Sequence, residues 1–307
     1  MDLLGAGLVP LEGGYSGETF LAESAGELSV VRIYAHRSEQ RGPNAAEIDA
    51  AVLRLVRGLL PVPEVLEVRR ANPAANTPGL LVTSYLPGER LDVVLPTAGD
   101  DLRRTIGTNL GVILSRLSQM PMLRAGMFVD GDLRIGPLPE GAGDLVEWVD
   151  GHAEDTALAD WSADERAGLR ALAARAQDLL DTVERVCLVH SDFNPKNLLV
   201  DPTSGAVTGL LDWEFSHAGI PFSDLGNLLR FDREPGFVES VLSAYTRGAL
   251  SPSDRVLDLA RAADLWALVD LAARRDAHEV AGRAHDLLLA MTRAGDLHAV
   301  PPRSPRR

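Results

Sequence analysis

The apolar residues of this chain change period once, around Pro87-Gly88, and that change limits what the chain can fold into. Upstream, Leu8–Leu11, Thr19–Glu23, Leu28–Tyr34, Val65–Val68 and Leu80–Tyr85 read as strands. The run Ser29-Val30-Val31-Arg32-Ile33-Tyr34 is rich in the β-branched residues that pack well on a pleated surface. One helix interrupts them over 45–60, where Ile48, Val52, Leu55 and Leu59 recur at helical spacing and Pro61 and Pro63 end the run. Downstream, helical stripes dominate. Leu102, Ile106, Leu110, Ile113 and Leu117 form one, and a capping box of Ser162 and Glu165 opens another carrying Leu169, Leu172, Leu179 and Val183. Helices resume after Ser223 and run to about Ala294. Between them lie Val186–Val189, Leu198–Val200 and Val207–Leu211, the last two joined into a hairpin by the turn DPTSG. The expectation is an α+β chain in two lobes: a β-rich lobe over 1–85, a mainly helical lobe over 86–300, and a frayed basic tail over 301–307.

Length and charge narrow the function classes. The 307 residues suffice for two cores, and no apolar run is long enough to cross a bilayer. The start, MDLLGAGLVPLEGG, lacks the basic leader and apolar core of a secretory signal. Cys187, the single cysteine, sits in an apolar run and reads as a small buried residue without a disulfide partner. A cytoplasmic location is therefore expected. A formal charge of −14 argues against nucleic acid as a partner, since the acidic surface would repel it. The same charge suits a cationic small substrate, and equally suits plain solubility.

The chemistry is densest over 188–224: LVHSDFNPKNLLV, then GLLDWEF, then FSDLGNLLR. Asn197 follows Asp192 by five residues and Asp212 follows it by twenty. A loop leaving one strand can present Asp192 and return Asn197 beside it, while the hairpin delivers Asp212 to the same cleft. Two hard oxygen donors close together suit magnesium, which keeps several waters and takes other ligands from phosphates.

This segment resembles the aminoglycoside phosphotransferases and their choline-kinase-like relatives. In that family HGD or HSD replaces the protein-kinase HRD, and a triplet such as DWE stands for DFG. No APE-like segment follows Asp212, which disfavours a protein substrate. The resemblance implies a protein-kinase-like fold with a rebuilt substrate lobe, ATP or GTP as donor, and Mg2+. It makes Asp192 the catalytic Asp, Asn197 and Asp212 the metal ligands, His190 the residue that orients the loop, and Asp224 a structural anchor. GGYSGETF resembles the turn that covers the nucleotide, with Gly14, Ser16, Gly17 and Thr19 near the phosphates; a plain hairpin would want the same glycines. Arg32 stands where protein kinases place a phosphate-binding Lys, with Asp49 as its expected partner and Glu47 the alternative by spacing. Leu80–Tyr85 followed by Leu86-Pro87-Gly88 resembles the crossing that meets the base. Ser84 and Leu86 would offer backbone groups there, Thr83 would be the gatekeeper, and Val31, Leu81 and Leu211 the apolar walls.

The same resemblance places the acceptor between the 145–165 segment and the C-terminal helices. Glu214, Glu147, Asp150, Trp266 and Asp270 are the leading candidates to line it, beside Trp148, Asp155, Asp160, Trp161 and Arg274. A solvated helix face would give the same acids. The expected reaction is phosphoryl transfer to a hydroxyl of a small acceptor, with a cationic compound such as an aminoglycoside-type antibiotic as the leading case. A metabolic kinase for choline, a sugar or an amino-acid alcohol stays open, as does a catalytically silent nucleotide-binding protein.

Overall fold

The β-branched run Glu27–Tyr34 forms the middle strand of an antiparallel sheet. The computed structural model describes residues 7–11, 19–24, 26–34, 41–248 and 255–302. Its first sheet orders Gly7–Pro10 (β1), Thr19–Ser24 (β2), Glu27–Tyr34 (β3), Gly79–Ser84 (β5) and Val65–Arg69 (β4). Cross-strand register decides which face each side chain takes. Arg32 lies opposite Thr19 and Leu81, and Val30 opposite Leu21 and Thr83. Because strand residues alternate faces and opposed residues share one, Thr19, Val30, Arg32, Leu81 and Thr83 occupy one face. Val31 pairs with Val82 on the other face, where both pack with Ala22 in a small separate cluster. The expected wall residue Val31 therefore points away from Arg32, whereas Val30 shares the face of Arg32.

Ala45–Val56 (α1) packs on this sheet through Ile48, Val52 and Val56, spaced i, i+4, i+8 and all fully buried. The expected stripe was misplaced at its C-terminal end. Leu55 lies within the helix but off the Ile48–Val52–Val56 face, and Leu59 lies beyond the helix, which ends where the chain turns extended at Arg57; both are exposed.

After the sheet come Glu89–Arg90 (β6), Leu91–Val94 (α2), Asp100–Ser118 (α3), Gly126–Met127 (β7), Leu145–His152 (α4) and Ala163–Leu180 (α5). The capping box forms as the sequence indicates: Ser162 and Glu165 each receive the other's backbone N–H. Next are Cys187–Val189 (β8), Leu198–Val200 (β9), Val207–Leu210 (β10) and His217–Gly219 (β11). The last helices are Ser223–Leu228 (α6), Pro235–Gly248 (α7), Val256–Ala263 (α8), Leu265–Ala273 (α9) and Glu279–Ala294 (α10). Two small antiparallel sheets, β10-β9-β6 and β7-β11-β8, carry the segment of interest. Their two-residue strands β6 and β7 are too short to leave a period in the sequence. The result is the mixed α+β architecture expected, a sheet-rich first part and a helical second part.

One apolar cluster runs through both parts, from Tyr34, Ile48 and Val52 to Leu288 and Met291. Gly88 connects them where β6 joins β9. Its φ of +137° disfavours any side chain, and a Cβ there would lie 2.3 Å from Thr208 Oγ1. In the second part α3 crosses α7 so closely that a Cβ at Gly111 would fall 2.4 Å from the Val241 carbonyl oxygen. Gly111→Ala should therefore destabilise the fold by about 1–3 kcal/mol, the usual cost of overpacking a core. Chemical denaturation checks this; an unchanged midpoint would mean that the helices separate without penalty. No helix among the described residues is long and apolar enough to cross a membrane. Cys187 is buried, and burial pushes its thiol up to about 12, the inert state expected of it.

Candidate active site

The strand β8 ends at Val189 and delivers His190 into a fully buried position. The His190 ring sits edge-on to Trp213, with centroids 4.6 Å apart, and Phe193 closes its other side at 6.0 Å. Its Nδ1 receives the Asp192 backbone N–H at 3.2 Å, so Nε2 carries the proton and donates to the Leu211 carbonyl at 2.8 Å. This ring thus bridges the loop that bears Asp192 to the residue just before Asp212. Its geometry is that of a fixed spacer.

Asp224, at the start of α6, accepts the backbone N–H groups of His190 at 2.9 Å and Ser191 at 2.8 Å. Burial pushes its carboxyl up, and these hydrogen bonds, with His190 nearby, pull against that push. Asn227, one turn later, donates to the Ser191 carbonyl at 3.2 Å. Together they hold Ser191 at φ 69°, a left-handed conformation that a side chain resists.

Asp192 is clamped by two amides. Asn194 Nδ2 donates to one carboxylate oxygen at 2.7 Å, and Asn197 Nδ2 donates to the other at 2.7 Å and to the Asp192 carbonyl at 2.9 Å. With the nitrogen of Asn197 so engaged, its amide oxygen is the atom that could meet a cation. The Leu211 N–H donates to the Asn197 carbonyl at 2.9 Å, which ties the Asn197 turn to the end of β10. Asp212 then follows at φ 64°, a second left-handed non-glycine residue. Trp213, behind it, is buried and donates to the Leu210 carbonyl at 3.2 Å, which anchors the Trp213–Phe215 turn.

Arg32 reaches this turn from β3. Its guanidinium donates to Asp212 at 2.8 Å and to Glu214 at 2.6 Å. Burial opposes the charge, but Asp212, with Tyr34, Asp49 and Glu214, outweighs it and holds Arg32 above its ordinary value. The donor set fits magnesium in kind: the Asp212 carboxylate, which also accepts from Arg32, and the Asn197 amide oxygen are both hard donors. Among the described residues no cluster of three or more His, Cys, Asp or Glu offers an alternative metal centre.

The expected Arg32–Asp49 pair does not form here. Asp49 is buried and accepts from Arg41 at 2.5 Å and from the Tyr34 hydroxyl at 2.6 Å. The alternative, Glu47, pairs with Arg70 at 2.5 Å. Arg41 and Tyr34 occupy the Asp49 carboxylate instead. Arg41 enters just before α1 and bridges Asp49 to the backbone carbonyl of Ser216 at 2.5 Å, so α1 is linked to the Asp212 turn through Arg41. Burial and the neighbouring Asp49 push the Tyr34 hydroxyl well up, and burial holds Arg41 below its ordinary value despite Asp49.

Asp49→Ala should then cost about 3–5 kcal/mol, because it leaves the Arg41 guanidinium buried without a carboxylate. A double-mutant cycle with Arg41→Ala should show strong coupling, whereas one with Arg32→Ala should come close to additive. Denaturation midpoints of the single and double variants decide it. Strong Arg32–Asp49 coupling would restore the original pairing.

Other expected residues are scattered. Gly14, Ser16 and Gly17 lie outside the described residues, as does the tail beyond Pro302. Ser84 donates its N–H to the Glu64 carbonyl, and its hydroxyl oxygen accepts the Glu64 N–H, at 2.9 Å each. Thr83 is buried on the Arg32 face and Leu86 follows in the crossing. Of the acceptor candidates, Glu214 stands beside Asp212 and binds Arg32. Asp150 pairs with Arg170 at 3.0 Å, Asp160 with Arg275 at 3.3 Å, and Asp270 with Arg274, with His152 at 3.9 Å. Glu147 is exposed in the first turn of α4. Trp148 donates to the Trp266 carbonyl at 3.0 Å and meets the Trp266 ring edge-on, while Trp161 is core and bonds His285. Sequence reasoning missed Asn194, Arg41, Tyr34 and Asn227. Asn194 had a signal, a second amide within the same loop; Arg41 had none.

Residues 7–263 match the family model described as the phosphotransferase enzyme family. Among solved structures, the chain superposes on APH(2")-IIIa bound to GDP and kanamycin with a TM-score of 0.68 at 16% identity, covering 96% of this chain and 95% of that one. It also superposes on APH(4)-Ia in a ternary complex with ADP and hygromycin B, with a TM-score of 0.64 at 17% identity and 94% of each chain covered. Both likenesses are of fold. Mouse acyl-CoA dehydrogenase family member 10 is 26% identical over 223 residues, which is 71% of this chain and 20% of that protein. The chain thus spans about a fifth of that relative's length.

Proposed function

We propose, on the premise that this chain belongs to the phosphotransferase enzyme family, that it moves the γ-phosphate of ATP or GTP to a hydroxyl of a small acceptor. The observation that carries the reading is the double clamp on Asp192 and its tie through His190 to the residue before Asp212. A carboxylate held by two amides keeps one orientation. It can receive the acceptor's hydroxyl and take its proton as the bond to phosphorus forms. Ser191 and Asp224 hold that loop from behind. Arg32, on the opposite side of the cleft, would balance phosphate charge, with Gly14, Ser16, Gly17 and Thr19 covering the phosphates. The Ser84 carbonyl and Leu86 N–H would meet the base, against Val30 and Leu211. Asn197 and Asp212 would hold magnesium, which when bound neutralises charge on the phosphate oxygens. We place the reaction in the cytoplasm, where its nucleotide donor is abundant.

The acceptor's charge is open to a sharper reading. Of the acids that motivated a cationic acceptor (Glu147, Asp150, Asp155, Asp160 and Glu214), Asp150 and Asp160 each have an arginine partner and Glu214 binds Arg32, as the lining candidate Asp270 binds Arg274, so their attraction for a polycation is largely offset. A neutral hydroxyl compound then becomes as good a fit as an aminoglycoside. The relative named an acyl-CoA dehydrogenase family member adds hydroxyacyl-CoA esters to the candidates. The deciding experiment is nucleotide consumption by purified protein, with ATP or GTP, with and without magnesium. Aminoglycosides, macrolides, amino alcohols, sugars and hydroxyacyl-CoA esters would be offered side by side at low and high salt. Acceptor-dependent, magnesium-dependent turnover is expected. Nucleotide binding without turnover on any acceptor would favour a silent binding protein instead.

A further inference from the structure

The helices α7 and α8, with Arg233 and His298, line a wide-mouthed surface cavity of ≈ 770 Å³ that shares no residue with the catalytic cleft. Its size is that of a small-molecule site. Val238, Leu242 and Leu257 supply an apolar wall, and Arg233, Arg247 and Arg261 supply cationic groups. Glu239, the carboxylate in the lining, is exposed at the rim, and His298 is held by Asp258 at 2.8 Å.

Among the described residues none of the three arginines has an ion pair. Arg233 donates to the carbonyls of Arg230, His298 and Ala299, and exposed Arg247 donates to the Ser243 hydroxyl. Arg261 is the informative one. It is only 4% exposed; its Nη1 donates to the Leu229 carbonyl and its Nε meets no acceptor. The nearby carboxylate, Asp264, is already taken by Arg230 at 2.7 and 2.9 Å. Burial, with Arg233 and Arg230 close by, lowers Arg261 to about 10. Capping the carbonyl of Leu229 explains one N–H of this guanidinium. It does not explain a buried unpaired charge beside two further unpaired arginines and an apolar wall.

We propose that this cavity binds a small organic anion with an apolar body, a carboxylate or a phosphate monoester, whose head meets the arginines and whose body lies on Val238, Leu242 and Leu257. The site would be independent of phosphoryl transfer. Octanoate, octyl phosphate and neutral octanol are the probes, titrated by calorimetry into the whole chain in excess magnesium nucleotide, which keeps the ester out of the cleft. At least one of the two anions should bind saturably at one site and raise the melting temperature, and octanol should bind more weakly. Which anion is tighter identifies the head group.

Arg247→Glu and Leu242→Asp, both on the cavity wall and away from the core contacts of Arg261, should each weaken binding roughly tenfold or more, the value of one charged hydrogen bond. Arg261→Gln should do the same, with melting temperature reporting any structural loss separately. Unchanged affinity in both Arg247→Glu and Leu242→Asp, octanol binding as tightly as the anions, or no saturable binding of either anion would overturn the site.

Discussion

Asp192→Asn is expected to lower turnover by roughly 10²–10⁴-fold, the range for loss of a positioned general base, while nucleotide affinity stays close to that of the wild type. The split follows from geometry. In the proposed reaction Asp192 meets the acceptor hydroxyl, whereas Arg32, Asn197 and Asp212 meet the phosphates and their metal. The clamp adds a structural condition. An amide at 192 offers one acceptor oxygen to two donors, Asn194 and Asn197, which now each have a carboxylate oxygen. Melting temperature should therefore be read beside the rate. Steady-state kinetics and calorimetry with the nucleotide separate the two effects, and a variant that turns over normally removes Asp192 from the mechanism.

Asp212→Ala is expected to abolish magnesium-dependent stabilisation by nucleotide. In the proposed donor pair Asp212 would supply the one carboxylate, and a single amide oxygen from Asn197 would hold the ion poorly. The variant also strips Arg32 of one of its two anions. Arg32 keeps Glu214 at 2.6 Å, and the Asp212 side chain is 29% exposed, so the stability lost should stay below the roughly 3–5 kcal/mol of a fully buried pair. Asp212→Asn is the companion variant, since it preserves shape while removing charge. Calorimetry of the magnesium nucleotide is the measurement. Undiminished binding in both variants would move the ligand assignment elsewhere.

The extent to which the chain could be read from its sequence depended on how local each feature is. The strand β3 and the helices α3 and α5 were legible because their burial repeats at a fixed period, and the α5 capping box needs only Ser162 and Glu165. Spacing alone also brought His190, Asp192, Asn197 and Asp212 into one segment, because a strand, a turn and a hairpin are short enough to leave little choice of path. Tertiary structure decided the partners. Arg32 lies 180 residues from Asp212, and Arg41 lies 175 from Ser216. No period or spacing encodes contacts at that separation. They depend on how α1, β3 and the Trp213–Phe215 turn pack around one cleft, and that packing gives Asp49 to Arg41. The acids near the expected acceptor site show the same division. Composition shows Asp150, Asp160 and Asp270 as negative charges, whereas the folded chain sets an arginine against each. Sequence fixes which charges exist; distance in the folded state fixes which of them remain to attract a ligand.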